Sequence, residues 1–492
     1  MIASHFGAMA VVDAYYLALA VPGVLIGVLG GTIKIAVMPF FVEERLRRPD
    51  EAERIVGSGA GLLVVGCGIG TLALGGLALA GWLEFGASRE VADLSRRLML
   101  ELLPLIPLTV LFHFYSAVYN SYQRFALPEI CQMARYVIVI GFLWLFARRW
   151  GVHSIILGHV VGQAAALGLM IWFIGRQLGI ELRPRWTLPV GLRRLLLFSL
   201  VPFASYVFVQ LNPLIARVIA AQLPEGSIAV LSYAEKLASI PSLIMGAGFA
   251  SVLVSHWSRL TVLGEIDALR TSLNRSLSLL LAMLVPMAVG LVMLRDPIVR
   301  IAFERGAFGD AATAQTSQVF AVLALQIIPF YLHMVTVRVL LAEKAMAALA
   351  WLSALGFVAA FLFMQLFVWT GLGVVGVALG SVIGTIVVAA ATAMVVDRRY
   401  GVLAWSELSV HGTQVLVATI IMVIVLLAMR QWLLGDTPSD WLLVVGATAG
   451  GGLAYLAALW WLGHELLVAV RNNFPLKRSN TLMDGGDPRF EE

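Results

Sequence analysis

Charged side chains are scarce in this chain: Asp, Glu, Lys and Arg make up 13% of its 492 residues, against 60% hydrophobic residues. A soluble globular domain carries about twice that charged share, so a soluble fold is excluded. Cysteine is rarer still. Cys67 and Cys131 are the only two, and they lie in separate apolar stretches, which supports neither a disulfide framework nor a thiolate metal site. The scattered His113, His159, His256 and His333 show no metal-ligand spacing. No Ser-His-Asp order, glycine-rich phosphate loop or paired catalytic carboxylate can be read, so neither an enzyme nor a bound cofactor is expected.

What the chain has instead is a succession of long apolar runs, with a mean hydropathy of +0.91. Windows of about 20 apolar residues, the length of a membrane-crossing helix, fall at roughly 12–42, 56–84, 98–120, 128–147, 152–178, 192–222, 227–257, 273–295, 313–341, 345–370, 372–396, 409–430 and 440–468. The expected fold is therefore all-α and integral to the membrane, with about 13 transmembrane helices. Beyond them, residues 471–492 are polar and are expected to form a disordered tail.

The +5 charge and the pI near 9.3 are not a nucleic-acid footprint, because the basic residues sit in short connections between spans. The connections at 43–55, 121–127, 176–194, 258–276, 343–345 and 397–404, together with the tail, hold 20 Lys and Arg. The alternate connections at 85–97, 148–151, 295–312 and 430–439 hold nine. By the positive-inside rule the first set, and with it the C-terminus, is cytoplasmic.

The chain also repeats itself. Gly151, Val152, Leu157, Gly158, Val160 and Gly162 recur as Gly373, Val374, Leu379, Gly380, Val382 and Gly384, an offset of 222, and Pro22 and Gly27 recur as Pro241 and Gly246. Duplicated helical lobes with a substrate site between them are the usual plan of secondary transporters. The expected organisation is a first lobe at 1–185, a second at 186–400, two additional helices at 401–470 and the tail, with the basic connection at 176–194 as linker. In this register the helix at 192–222 has no partner ahead of residue 12, so a fourteen-helix plan lacking its first helix is expected.

Five basic residues, Lys34, Arg135, Arg217, Lys236 and Arg338, lie within apolar runs, accompanied by Asp13 and Glu235. A charge at the centre of a membrane helix costs about 2.5–3.5 kcal/mol on insertion scales, so such groups normally face a bundle interior or a wet cavity. Competing structural readings exist: Asp13 as a solvated cap, Lys34 and Arg217 snorkelling to a membrane surface, Arg338 near a helix end. Glu235 and Lys236 stand about 100° apart around a helix, so they are expected to face different partners. The excess of basic groups suits an anion such as a phosphate or pyrophosphate, whereas a drug-cation site would favour carboxylates. Pro22, Pro202, Pro213 and Pro241 are expected to interrupt helices bordering the lobe interface.

Four segments resemble a known family. DAYYLALAVP (Asp13 to Pro22), YAEKLASIP (Tyr233 to Pro241), FERGAFG (Phe303 to Gly309) and NSYQRFALPEI (Asn120 to Ile130) are similar to segments of the MurJ/MviN family, the lipid II flippases of the MOP exporter superfamily. The resemblance implies a MOP-type fold and a flippase that moves a polyprenyl-pyrophosphate-linked sugar precursor across the bacterial inner membrane by alternating access. It further implies a monomer among membrane lipids, with the headgroup in a cationic cavity, the lipid along a groove formed by the last two helices, and coupling to a Na⁺ or H⁺ gradient or to the membrane potential. Asp13, Lys34, Arg217, Glu235 and Lys236 are the candidate cavity residues, with Arg135, Arg305 and Arg338 as weaker candidates. The chain departs from the family where it has Ile26 and Gly27 in place of an arginine pair. Three alternatives stay open: a flippase for another lipid-linked oligosaccharide, as in exopolysaccharide or O-unit export, a cation-coupled multidrug exporter using Asp13 and Glu235, and a non-transporting membrane scaffold.

Overall fold

The structure is a computed structural model that describes residues 2–83, 88–179, 186, 189–241, 265–342, 345–433 and 439–463. Its elements are α1 (Ile2–Phe6), α2 (Ala10–Arg47), α3 (Pro49–Leu79), α4 (Arg89–Leu102), α5 (Leu105–Asn120), α6 (Ala126–Trp150), α7 (His153–Leu178) and α8 (Val190–Ala220). They continue with α9 (227–241), α10 (Ile266–Met293), α11 (Arg295–Phe303), α12 (Asp310–Leu325), α13 (Ile327–Ala342), α14 (Met346–Trp369), α15 (Gly373–Tyr400), α16 (Trp405–Leu433) and α17 (Asp440–Trp461). No strand occurs among the described residues. The expected tail at 471–492, the echo at Gly246 and His256 lie outside them.

Among the described residues, eleven helical segments are long and apolar enough to cross a membrane, and the bent pair α4 and α5 makes a twelfth. The remaining expected span, 227–257, is described only through residue 241, and there it is helical. One boundary moves. The span expected to begin at 98 begins at Arg89, because α4 is amphipathic: Val91, Ala92, Ser95, Leu98, Met99 and Leu102 are buried along one face while Arg97 is exposed. Pro104, which has no N–H to donate, stands at the 43° break between α4 and α5. By contrast, Pro22 and Pro39 lie inside the continuous α2, and Pro202 and Pro213 inside the continuous α8. The helices run through these prolines rather than being interrupted there, since a single lost backbone bond is tolerated where packing holds the axis.

The internal repeat has a structural counterpart. Gly151 and Gly373 both take positive φ, 52° and 54°, at the turns that lead into α7 and α15. Further along, Gly158 and Gly162 press against Val139 and the Arg135 backbone of α6, while Gly380 and Gly384 press against Met364 and Ala360 of α14. A Cβ at Gly380 would stand 2.4 Å from the Met364 nitrogen. In lipid, where apolar surface gives little drive for helix association, such close backbone approach is a principal source of it. The α6–α7 and α14–α15 hairpins are thus built alike.

Packing runs from these hairpins inward. α2 lies along α4, α5 and α8; α8 also packs on α14 and α15; α10 contacts α12, α13 and α16; and α16 pairs with α17, which reaches α11. α2 and α8 therefore form the central seam. Gly27 and Gly31 of α2 make room there for Gln210 and Tyr206 of α8.

Candidate functional site

One end of the seam is closed by backbone contacts. Asp13, 4% exposed in the first turn of α2, accepts hydrogen bonds from the backbone N–H groups of Gly226 (2.5 Å) and Ala229 (2.7 Å). Those are the orphan donors at the start of α9, so Asp13 caps that helix from 213 residues away in sequence. Tyr233 donates its hydroxyl proton to the Gly7 carbonyl at 2.9 Å, and the Ala307 N–H donates to the Ser4 carbonyl at 3.1 Å. Asp13 is neither a solvated cap nor a member of an open cavity; its carboxylate is taken up by the seam.

One turn further into α2 and α9, the charges gather. Glu235 pairs with Arg217 at 3.0 Å, and that guanidinium also donates to the Pro213 carbonyl at 3.1 Å, so Arg217 is held inward rather than snorkelling. Lys236 turns elsewhere: its ammonium donates to the Tyr16 hydroxyl at 2.6 Å and stands 4.9 Å above that ring. Next to Glu235 opens a cavity of about 280 Å³ bordered by Asn212, Gln326 and Ser381. Tyr16 stacks edge-on against Tyr233, so the ammonium, the phenol and the capped seam form one connected group.

Within the first lobe, Tyr15 of α2 bonds His159 of α7 at 3.1 Å, and Arg135 of α6 donates to Gln163 of α7 at 3.1 Å. Arg135 and Lys236 both lie close enough to His159 to act on it electrostatically, and Arg135 and Lys34 do the same at His113. Lys34 borders a separate cavity of about 360 Å³ between α2, α5 and α6. It has no hydrogen-bond or ion-pair partner among the described residues. Arg338 interacts with Tyr206 of α8, whereas Arg305 is exposed and donates to the Ile301 carbonyl, apart from the other basic groups.

The structure thus joins Arg217, Glu235 and Lys236, bonds Arg135 to Gln163, sets Lys34 on a separate cavity, and leaves Asp13 and Arg305 in other duties. Tyr15, Tyr16, His159 and Gln163 are the contributors that sequence reasoning missed. Their only signal was proximity to Asp13 and to the repeat, and aromatic residues in membrane helices ordinarily read as packing. Among the described residues, no three His, Cys, Asp or Glu side chains come together as metal ligands.

The family model described as Lipid II flippase MurJ matches residues 2–459. The chain belongs to this family. It is 29% identical over 256 residues to the probable lipid II flippase MurJ of Rhizobium tropici, a match covering 50% of this chain and 47% of that protein. To the lipid II flippase MurJ of Burkholderia cenocepacia it is 25% identical over 334 residues, covering 64% and 63%. The chain therefore spans about half the length of the first of these relatives and somewhat more of the second. Its fold is that of a solved lipid II flippase MurJ in an inward closed conformation, with a TM-score of 0.79 at 19% identity over 95% of each chain. An inward-facing multidrug resistance MATE family transporter of the MOP superfamily follows with a TM-score of 0.70 at 15% identity, covering 82% of this chain and 91% of that one. At Gly27 of α2 the Gln210 side chain of α8 fills the space that a Cβ would take.

Proposed function

We propose that this membrane protein is a flippase that carries a polyprenyl-pyrophosphate-linked sugar precursor, of the lipid II kind, across the bacterial inner membrane. The observation that carries this reading is the set of basic groups, Lys236, Arg217, Arg135 and Lys34, on the helices of a bundle that belongs to the MurJ family. Arg217 is paired with Glu235, but Lys236, Arg135 and Lys34 have no ion-pair partner among the described residues; such cations within a membrane bundle are stabilised by an anionic cargo, and pyrophosphate supplies the charge. The lobes at 1–185 and 186–400 rock about the α2–α8 seam, and the helices at 401–470 flank the path of the lipid. The chain acts as a monomer, with its C-terminus in the cytoplasm, and draws on an ion gradient or the membrane potential rather than on a cofactor or a chemical step.

The test is complementation of a strain depleted of its own lipid II flippase, paired with transport of a labelled polyprenyl-pyrophosphoryl sugar in proteoliposomes. Rescue together with transport is expected. Failure of both, with the protein present in the membrane at normal levels, would reject the reading.

A further inference from the structure

The cavity at Lys34 stands apart from the group at Lys236. Tyr16, which holds Lys236, and Lys34 are 18 residues apart on the same helix, about 27 Å at the rise of an α-helix. One small headgroup cannot touch both. The wall of this second cavity is nevertheless chemically specific: Lys34, His113, Ser116, Asn120, Glu129 and Gln132 face it from three helices. Its volume of about 360 Å³ lies in the range of small-molecule sites, roughly 300–1,000 Å³. It sits toward the end of the molecule that carries Arg45, Arg47, Arg48 and Arg124, the cytoplasmic end by the positive-inside rule.

Two features of this wall point to a ligand. Lys34 and Glu129, both exposed, line this cavity from α2 and α6 with no ion-pair or hydrogen-bond partner among the described residues. The two charges line one cavity without pairing with each other. A simple anion would satisfy Lys34 and be repelled by Glu129. A phosphate ester of a sugar satisfies both, with the phosphate on the ammonium and sugar hydroxyls donating to the carboxylate and bonding the Asn120 and Gln132 amides.

We propose that this pocket is a second substrate station, a loading site that takes the glycosyl pyrophosphate of the cargo from the cytoplasmic side before it reaches the Arg217–Glu235–Lys236 group. The inference rests on the flippase reading, and the experiment separates the two. Equilibrium binding to the purified full chain is measured for farnesyl pyrophosphate and for farnesyl-pyrophosphoryl-N-acetylglucosamine, with inorganic phosphate as competitor. On the wild type the sugar is expected to tighten binding by about tenfold, the scale of one hydrogen bond to a charged group. Lys34→Gln weakens both ligands by on the order of tenfold. Glu129→Gln removes the increment due to the sugar and, because it also removes the repulsion, leaves farnesyl pyrophosphate bound at least as tightly as in the wild type. Retained binding with no sugar increment, or Lys34→Gln and Glu129→Gln variants that match the wild type while Lys236→Gln alone loses affinity, overturns the loading station and leaves the flippase reading intact. Competition by phosphate that erases the sugar increment reduces the site to a simple anion site and also overturns it. Failure of either prenyl ligand to bind the wild type sinks the flippase reading itself.

Discussion

Removing the Asp13 carboxylate should open the seam. Asp13 is 4% exposed and accepts two backbone N–H groups at 2.5 and 2.7 Å at the start of α9. Hydrogen bonds to a charged group contribute about 1.5–3 kcal/mol each, and the helix N-terminus adds roughly 0.3–1 kcal/mol for a nearby anion. Asp13→Asn keeps the shape but sets an amide NH₂ against one of the two donors, so it loses one bond and the charge term, about 2–4 kcal/mol in all. When the lobes part, the same N–H groups and the carboxylate are hydrated, so nearly all of that loss falls on the closed state. A shift of about 3 kcal/mol is roughly a 100-fold change in the ratio of closed to open molecules. Ser227, beside the capped Gly226, is 9% exposed and supplies the reporter as Ser227→Cys, while the native Cys67 and Cys131 are buried and stay silent. Maleimide labelling of this cysteine from outside the cell should accelerate by one to two orders of magnitude in Asp13→Asn. A change below twofold, in both Asp13→Asn and Asp13→Ala, refutes the argument that this carboxylate holds the seam.

Two other substitutions read the site and the fold. Glu235→Gln releases the Arg217 guanidinium from a partner at 3.0 Å, and because the pair is only partly exposed, at 20% and 33%, an anionic ligand should bind several-fold more tightly; weaker binding of farnesyl pyrophosphate would mean that Glu235 itself touches the ligand. Gly380→Val forces a side chain against the Met364 backbone, whereas Gly66→Val enters open space; overpacking of about 1–3 kcal/mol should lower the melting temperature of the first variant alone, and equal melting temperatures would refute the close-packed hairpin.

The spans were legible because a membrane helix must be apolar for about 20 residues, and hydropathy reads that directly. Where the rule relaxes, the reading slipped: α4 carries Arg96 and Arg97 on a helix whose buried face is apolar only at every third or fourth position, so averaging erased its start. The repeat was legible as glycines, and its meaning is steric, since Gly158, Gly162, Gly380 and Gly384 all stand where a neighbouring helix leaves no room for a side chain. Asp13 was visible as a misplaced charge, yet its role was not. A carboxylate bonded to backbone amides of a distant helix has no side-chain partner to find in the sequence. Tyr15 and Tyr16 were hidden for a related reason, because their hydroxyls meet His159 and Lys236 only once α2, α7 and α9 have converged.

The cations differ in how far they are neutralised, and the order has a direction. Arg217 is bonded to a carboxylate and to a carbonyl, Lys236 to a phenol that carries no charge, Arg135 to one amide, and Lys34 to nothing among the described residues. Unpaired positive charge therefore grows from the closed end of the seam toward the end rich in arginine. An anion meets its strongest uncompensated attraction at Lys34, while at Arg217 it must compete with Glu235 for the guanidinium. On the proposed flippase reading, electrostatics alone would hold the cargo near the side where it loads. Net movement to the other side then has to come from the lobes, by opening a seam that Asp13, Tyr233 and the Ser4–Ala307 backbone pair keep shut. On this argument the Asp13 cap and the Lys34 pocket govern different steps: loosening the cap changes the rate of release without changing affinity at loading, and neutralising Lys34 does the reverse.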